Sequence, residues 1–315
     1  MTIATYGNPV SLLDLKTEFN FNAANTDVAF NGYYPGKGFV AANTIGYPNG
    51  GGPTGAGFVY VPGSGAIRFS DFCASANLTV QTYDLQFGSQ TINTPVTGTW
   101  TIPRLIIGDI TITVIGGGGA GAGGPSSASG GGGGGGVLRV IPGSALLSLG
   151  LPGTSISYQA GNRGYDASGG APGGSFVNPG ASFFGTVGQE WYINGPGGQN
   201  ANNGYNPGGG PGGVGTGTTP TYGTISLGTG GHGNSGAAVT QGGGGGGANG
   251  GGAFGGGAGF GGRGGPGANG GDVRNNATYM GVWPGGGGGA SDSTGWYIGA
   301  FGAGGAVRIQ GTWAY

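Results

Sequence analysis

Ile110-Thr111-Ile112-Thr113-Val114-Ile115 runs straight into Gly116-Gly117-Gly118-Gly119-Ala120, and this junction decides the fold. In an extended chain Ile110, Ile112 and Val114 fall on one face and the threonines on the other, the period-two pattern of a half-buried strand. Beyond Ile115 the chain sheds its side chains. Val137-Leu138-Arg139-Val140-Ile141-Pro142-Gly143, after the glycine run 130–136, and the closing Gly305-Ala306-Val307-Arg308-Ile309-Gln310-Gly311-Thr312-Trp313 are the next clearest strands. The glycine region therefore begins and ends with β-structure, and a small sheet clamping the base of the glycine segments is expected.

Composition narrows the class. Of 315 residues 90 are Gly and 18 Pro, with 9 Lys+Arg, 10 Asp+Glu, one Cys and one His. A net charge of −1 gives no basic surface to displace phosphate counterions, which argues against nucleic-acid binding. Cys73 alone builds no disulfide scaffold. No apolar stretch reaches the roughly 20 residues of a membrane-spanning helix, so no membrane insertion is expected. The start Met1-Thr-Ile-Ala-Thr-Tyr-Gly lacks the basic-then-apolar order of a secretory signal. Collagen needs Gly at every third position, and Ala253-Phe254 and Val282-Trp283-Pro284 break any such register. Disorder goes with low hydrophobicity and high net charge; 36% apolar and 10% aromatic residues with almost no charge point to an ordered chain.

Three regions separate by composition, 1–95, 96–115 and 116–315, and they are read as two domains: an N-terminal module, 1–95, and a glycine-rich domain, 96–315. In the first, Ser11 stands before Leu12, Leu15 and Phe19, which share one helical face, with Asp14 at the favourable end of the helix dipole. Gly65 to Phe72 reads as a second helical piece. Tyr33–Gly36 and Gly46–Pro53 carry loop chemistry, and Phe58–Pro62 reads as a short strand. Leu78–Leu85 and Thr97–Pro103 alternate at period two.

Glycine runs need a reason to be ordered. Gly loses the most backbone entropy on folding, about 1 kcal/mol more than Ala in regular structure, and buries no side chain. What it offers is close approach of backbones. Extended helices of the polyproline II type rise about 3.1 Å per residue with three residues per turn and have no internal hydrogen bonds. Every buried N–H and C=O must then pair with a neighbouring helix. Residues 116–124, 130–136, 195–213, 242–271 and 285–289 can supply such helices. The expected fold is thus mostly β and irregular: a small N-terminal mixed module followed by a β-clamped bundle of polyglycine II-like helices.

Catalytic and metal chemistry find little material. The single His, His232, sits in Gly230-Gly231-His232-Gly233-Asn234 without nucleophile or ligand partners. Asp166 and Glu190 are too isolated in so acid-poor a chain to read as a glycosidase pair. The glycine runs lack the Lys and the strand–loop–helix context of a phosphate cradle. No residue is assigned to catalysis, to a cofactor or to a metal, and no enzymatic activity or cofactor is expected.

Pro95-Val96-Thr97-Gly98-Thr99-Trp100-Thr101-Ile102-Pro103, then Ile110–Ile115 and Gly116–Ala120, resembles the opening of the glycine-rich domain of bacteriophage tail-fibre proteins. Gly130 to Gly143 and Gly302 to Ile309 match the continuation and close of that pattern, so the resemblance covers about 95–315. Ser11–Phe19 and Ile67–Phe72 are similar to an N-terminal module of the same class of virion proteins. The glycine domain also resembles, by composition, the polyglycine-helix adhesins at fibre tips. The resemblance implies a virion structural protein attached to other virion proteins through residues 1–95, acting as a tail-fibre tip or receptor-binding adhesin, with a homotrimer among the assemblies it allows. The implied partner is a host cell-surface glycan or outer-membrane protein. A capsid spike or decoration protein with a purely structural role is the alternative within the class. A cellular glycine-rich structural or ice-binding protein is the alternative outside it.

Aromatic residues in the inserts between glycine runs are the candidate receptor contacts: Trp191, Tyr192, Tyr205, Trp283, Trp296 and Tyr297. Their side chains hold neighbouring backbones apart, so they are expected at the ends of the bundle, either in contact with a receptor or as an apolar plug. Tyr and Trp provide large contact area for little lost rotamer entropy.

Overall fold

Alternation at 110–115 produces the longest strand among the described residues. The computed structural model describes residues 45–46, 59–60, 80–103, 105–122, 130–149, 152–166, 176–201, 210–233, 242–243, 261–262, 268–269, 280–292 and 299–314. In chain order the strands are β1 Ile45–Gly46, β2 Val59–Tyr60, β3 Gln81–Gly88, β4 Val96–Thr101, β5 Leu105–Ile115, β6 Gly136–Pro142, β7 Ser155–Ala160 and β8 Tyr165–Asp166. They continue as β9 Phe176–Val177, β10 Ser182–Phe184, β11 Ile193–Gly195, β12 Thr216–Gly217, β13 Thr224–Gly228, β14 Ala268–Asn269, β15 Ser291–Asp292 and β16 Ala306–Ala314.

Ten of these strands make two five-stranded antiparallel sheets, ordered β3-β16-β5-β6-β13 and β4-β7-β10-β11-β12. Ile110, Ile112 and Val114 of β5 are fully buried and share one core with Val137, Ile141, Val307, Ile309 and Trp313 of their own sheet. Trp100, Ile156, Tyr158, Phe184 and Ile193 of the other sheet close that core from the opposite side. The inner faces pack with aromatic contacts between the sheets: Trp100 meets Trp313 edge-on at 5.8 Å, and Phe87 stacks on Tyr158 at 4.2 Å.

The small clamping sheet expected from the sequence is therefore a two-sheet sandwich. Its extra strands β10, β11 and β12 are only two or three residues long, too short for a period-two signal. The strand expected at 78–85 is shifted to 81–88, and Phe58–Pro62 contains β2, paired with β1. The helical pieces at 10–19 and 65–72 lie outside the described residues. Gly143–Leu149, the described helix, lies where the sequence showed only the end of a strand. Its Leu146 and Leu147 join the core. β3 lies before the expected boundary at residues 95/96, yet it pairs with β16 at eight positions.

The connections give the sandwich two unlike ends. At one end, the base, lie the start of β3, the end of β16, Gly143–Leu149, the loop 185–192 and the turn 218–223. At the other end β5, β7, β11 and β13 run out into glycine-rich stretches that return into β6, β10, β12 and β16. These stretches, among them 116–121, 130–135, 161–164, 178–181, 196–201, 210–213, 230–233, 285–290 and 299–305, belong to neither sheet nor helix. Their backbone groups bond to one another.

Those bonds step in threes. Gly116 and Gly119 donate to Gly135 and Gly132, Gly118 and Gly121 to Ala303 and Ala300, and Gly131 and Gly134 to Gly288 and Gly285, all at 2.8–2.9 Å. In each pair the partner moves back three residues as the donor advances three, so successive residues of one stretch face different neighbours. Residues 116–121 exchange bonds with six other stretches, through Gly135, Gly180, Ala303, Gly164, Gly198 and Gly288. Backbone donors that would be costly to bury alone are thereby satisfied by other backbone, save that the Ala120 and Gly161 N–H groups donate to the Asn200 and Ser182 side chains.

Candidate functional site

The glycine stretches rise from the sheets and stop at a common level. Ala122 and Gly130, Asp166 and Phe176, Ala201 and Gly210, and Asp292 and Gly299 bracket the connections there. Tyr205 belongs to the connection between Ala201 and Gly210, and Trp296 and Tyr297 to that between Asp292 and Gly299; all three lie outside the described residues.

The other three candidates are elsewhere. Trp191 is 6% exposed and part of the sandwich core, its indole N–H donating to Gln189 Oε1 at 2.9 Å. Tyr192, half-buried, precedes β11 at the base, where its carbonyl accepts from the Thr218 N–H at 3.0 Å. Trp283 is half-buried beside the sheets, and its indole N–H donates to the Gly305 carbonyl at 3.2 Å. The six aromatics are thus not gathered at one glycine-bundle end. An aromatic ring kept out of close-packed backbone has a second refuge, the core between the sheets, and Trp191 takes it.

Among the described residues the glycine stretches are tied together by a polar cluster that the sequence did not single out, running from Asn93 and Arg163 beside the sheets to Asn200 farther along. Asn200 accepts from the Ala120 N–H at 2.8 Å and donates to the Val177 carbonyl and to Asn178 Oδ1, both at 3.1 Å. Asn162 donates to the carbonyls of Arg163 and Asn178 at 3.0 Å. Arg163, 7% exposed, donates from Nε to Asn93 Oδ1 at 2.9 Å and lays its guanidinium over the Phe301 ring, 4.8 Å from the centroid. Phe301 meets Tyr165 edge-on and packs with Met280. Burial pulls the Arg163 guanidinium below its usual value, with Tyr165 acting against it. Cation–π contact and one amide partner thus replace a counter-ion. The asparagine and arginine side chains of the cluster bond to backbone or to one another.

A second buried cation lies nearer the base. Arg139 is fully buried, on the inward face of β6, and its Nη2 contacts Glu190 Oε1 at 3.0 Å. An Arg at an inward position of an otherwise apolar alternation is the signal the sequence carried. Its acid partner, 51 residues on, is not readable from spacing.

Glu190 and Asp166 are not brought together, since Glu190 sits in the base loop and Asp166 in β8 beyond the glycine stretches. His232 is exposed between Gly231 and Gly233. Cys73 lies outside the described residues. No group of three or more His, Cys, Asp or Glu among the described residues is placed to hold a metal ion, and no helix among them is long and apolar enough to cross a membrane. No protein-family model matches the chain, and no curated protein matches it.

Proposed function

We propose that this chain is a bacteriophage virion protein, a tail-fibre tip or receptor-binding adhesin, whose glycine-rich domain presents connecting loops to a host-surface glycan or outer-membrane protein. The observation that carries this reading is the polarity of the fold. Residue 81 enters and residue 314 leaves the sandwich at the base, while Ala122, Gly130, Ala201, Gly210 and Gly299, which bracket connections in the sequence, stand at the opposite end of the glycine stretches. A protein held through its N-terminal region would direct those connections outward. In the same reading the glycine stretches are polyglycine II-like helices, stiff because every turn is tied to several neighbours. Hydrogen bonding in steps of three, the number of residues per turn of such a helix, supports this.

The loop residues proposed for contact are Tyr205, Trp296 and Tyr297. Each is replaced by Ala, and host-cell adsorption of the purified protein is measured beside its thermal unfolding midpoint. The expected result is lost adsorption at an unchanged midpoint for at least one of them. If all three leave adsorption unchanged, or lose it only together with stability, the adhesin reading gives way to a structural spike. Amide exchange across 116–121 and 130–135 tests the helices separately: strong protection is expected, and exchange at coil rates would overturn the bundle.

A further inference from the structure

We infer that the Arg139–Glu190 pair is an acid-released latch that holds the loop 185–192 and the turn 218–223 closed over the base of the sandwich. Four observations carry this. Arg139 is fully buried, and its Nε and Nη1 have no hydrogen-bond partner. Its Nη2 is met by Glu190 alone, through Oε1 at 3.0 Å and the backbone carbonyl at 3.3 Å. The same Oε1 accepts the N–H groups of Thr221 at 2.6 Å and Tyr222 at 3.1 Å. One carboxylate oxygen therefore ties β6, the loop before β11 and the turn before β13 together. Finally, the segments it ties are otherwise solvent-facing: residues 186–189 and 221–224 are exposed.

A guanidinium stays charged across the accessible pH range, so protonating Glu190 cannot discharge the pair. It removes the counter-charge from a buried cation and leaves Oε1 only the weaker, neutral carbonyl acceptor of an acid for two N–H groups. A buried ion left unpaired is strongly unfavourable, and the least costly relief is local: the loop swings out and water reaches Arg139. The groups facing Glu190 are few. Arg139 comes from β6, the backbone N–H groups of Thr221 and Tyr222 from the turn, and Gln189 from its own loop, where it is occupied by the Thr186 N–H and the Trp191 indole. The phenols of Tyr192 and Tyr222 belong to the same two segments. Burial works against the Glu190 carboxylate, but the Tyr222 and Thr221 donors together with Arg139 outweigh it and hold the group below its usual 4.5. A carboxylate so depressed stabilises the closed form above the ordinary glutamate range, and that contribution is lost as pH falls through the folded-state value. Gln189 bonds Trp191, so opening the loop draws Trp191 from the core.

Trp191 is therefore the reporter. Tryptophan emission and acrylamide quenching are followed on the full chain from about pH 7 to about pH 2, a range that runs well below ordinary glutamate titration. The Trp191 contribution is taken as the difference between the protein and its Trp191→Phe variant. A red shift and increased quenching of that contribution are expected on acidification, while the amide protection of 116–121 persists. Glu190→Gln should show the open signal already at neutral pH and no further acid step, and the Arg139→Met/Glu190→Gln double variant should return to the closed signal at all pH values. An acid-insensitive Trp191 contribution overturns the latch. So does loss of amide protection at 116–121 in step with the Trp191 signal, which would mean global unfolding. Should Glu190→Gln fail to fold, the double variant and the parent protein alone still decide.

Discussion

A Cβ placed on Gly118 would stand inside 3.0 Å of the Gly286 carbonyl oxygen, while the Gly118 N–H is already bonded to Ala303 at 2.8 Å. The obstruction is backbone, which has no rotamer to yield. Gly118→Ala is therefore expected to cost about 3 kcal/mol or more, at or above the usual range for overpacking. Gly108 provides the comparison: its φ is +73° and nothing lies within 4 Å of an added Cβ. Gly108→Ala should cost only the left-handed strain, about 1–2 kcal/mol. Urea unfolding of the two variants side by side measures the difference, and equal losses would remove close packing as the explanation.

Trp191→Ala deletes a core side chain and should cost about 3–5 kcal/mol. Its effect on host-cell adsorption should then follow the fraction of protein unfolded. On the proposed adhesin reading, the check is adsorption at a temperature well below the lowered midpoint, where binding equal to that of the parent protein is expected.

Asp84 and Arg308 form a two-point pair across β3 and β16, with contacts of 2.8 and 2.6 Å. The Arg308 hydrogen bonds hold the Asp84 carboxyl below its usual 3.8. Such a carboxylate stabilises the fold above its ordinary value and ceases to do so as pH falls through the folded one. Because the side chain is 43% exposed, solvent screens the pair, and Asp84→Asn should cost less than about 1 kcal/mol at neutral pH. Unfolding midpoints of parent and variant are expected to converge on acidification.

Where the glycine-rich domain is cut from the rest decides whether it folds. A chain beginning at residue 80 keeps β3, its eight paired positions on β16 and the Tyr83 ring stacked 4.5 Å from Trp313. One beginning at residue 96 exposes that edge and part of the core. The shorter chain is expected to unfold at clearly lower temperature than the longer one, as compared by circular dichroism.

Much of the sandwich was legible because its longest strands alternate cleanly: β5, β6, β4 and β16 all lie where Ile110–Ile115, Val137–Gly143, Thr97–Pro103 and Gly305–Trp313 said they would. What stayed hidden has physical reasons. A three-residue strand such as Ile193–Gly195 is specified by its neighbours on both sides, not by its own pattern. A glycine stretch carries no side-chain period at all, so the pairing of Gly116 with Gly135 rather than with another glycine exists only in three dimensions. Of the candidate site, the principle that aromatics leave close-packed backbone was readable, but not the direction in which each leaves. Trp191 moved inward because Gln189 and the opposing sheet gave it a place, and neither is visible from the spacing of aromatics.

Hydrogen bonding in steps of three also imposes arithmetic on any change in length. One residue inserted between Gly116 and Gly121 would turn every later donor toward the wrong neighbour, so that the N–H meant for Ala303 would meet another stretch. With the rise of the polyglycine II-like helices proposed above, three residues would restore the facing but lift the end of that stretch about 9 Å, at 3.1 Å per residue, above neighbours that had not grown. On that proposal the height of the glycine-rich part is quantised and collective: it grows by three residues in all its stretches together, or its variation is confined to the segments that connect them.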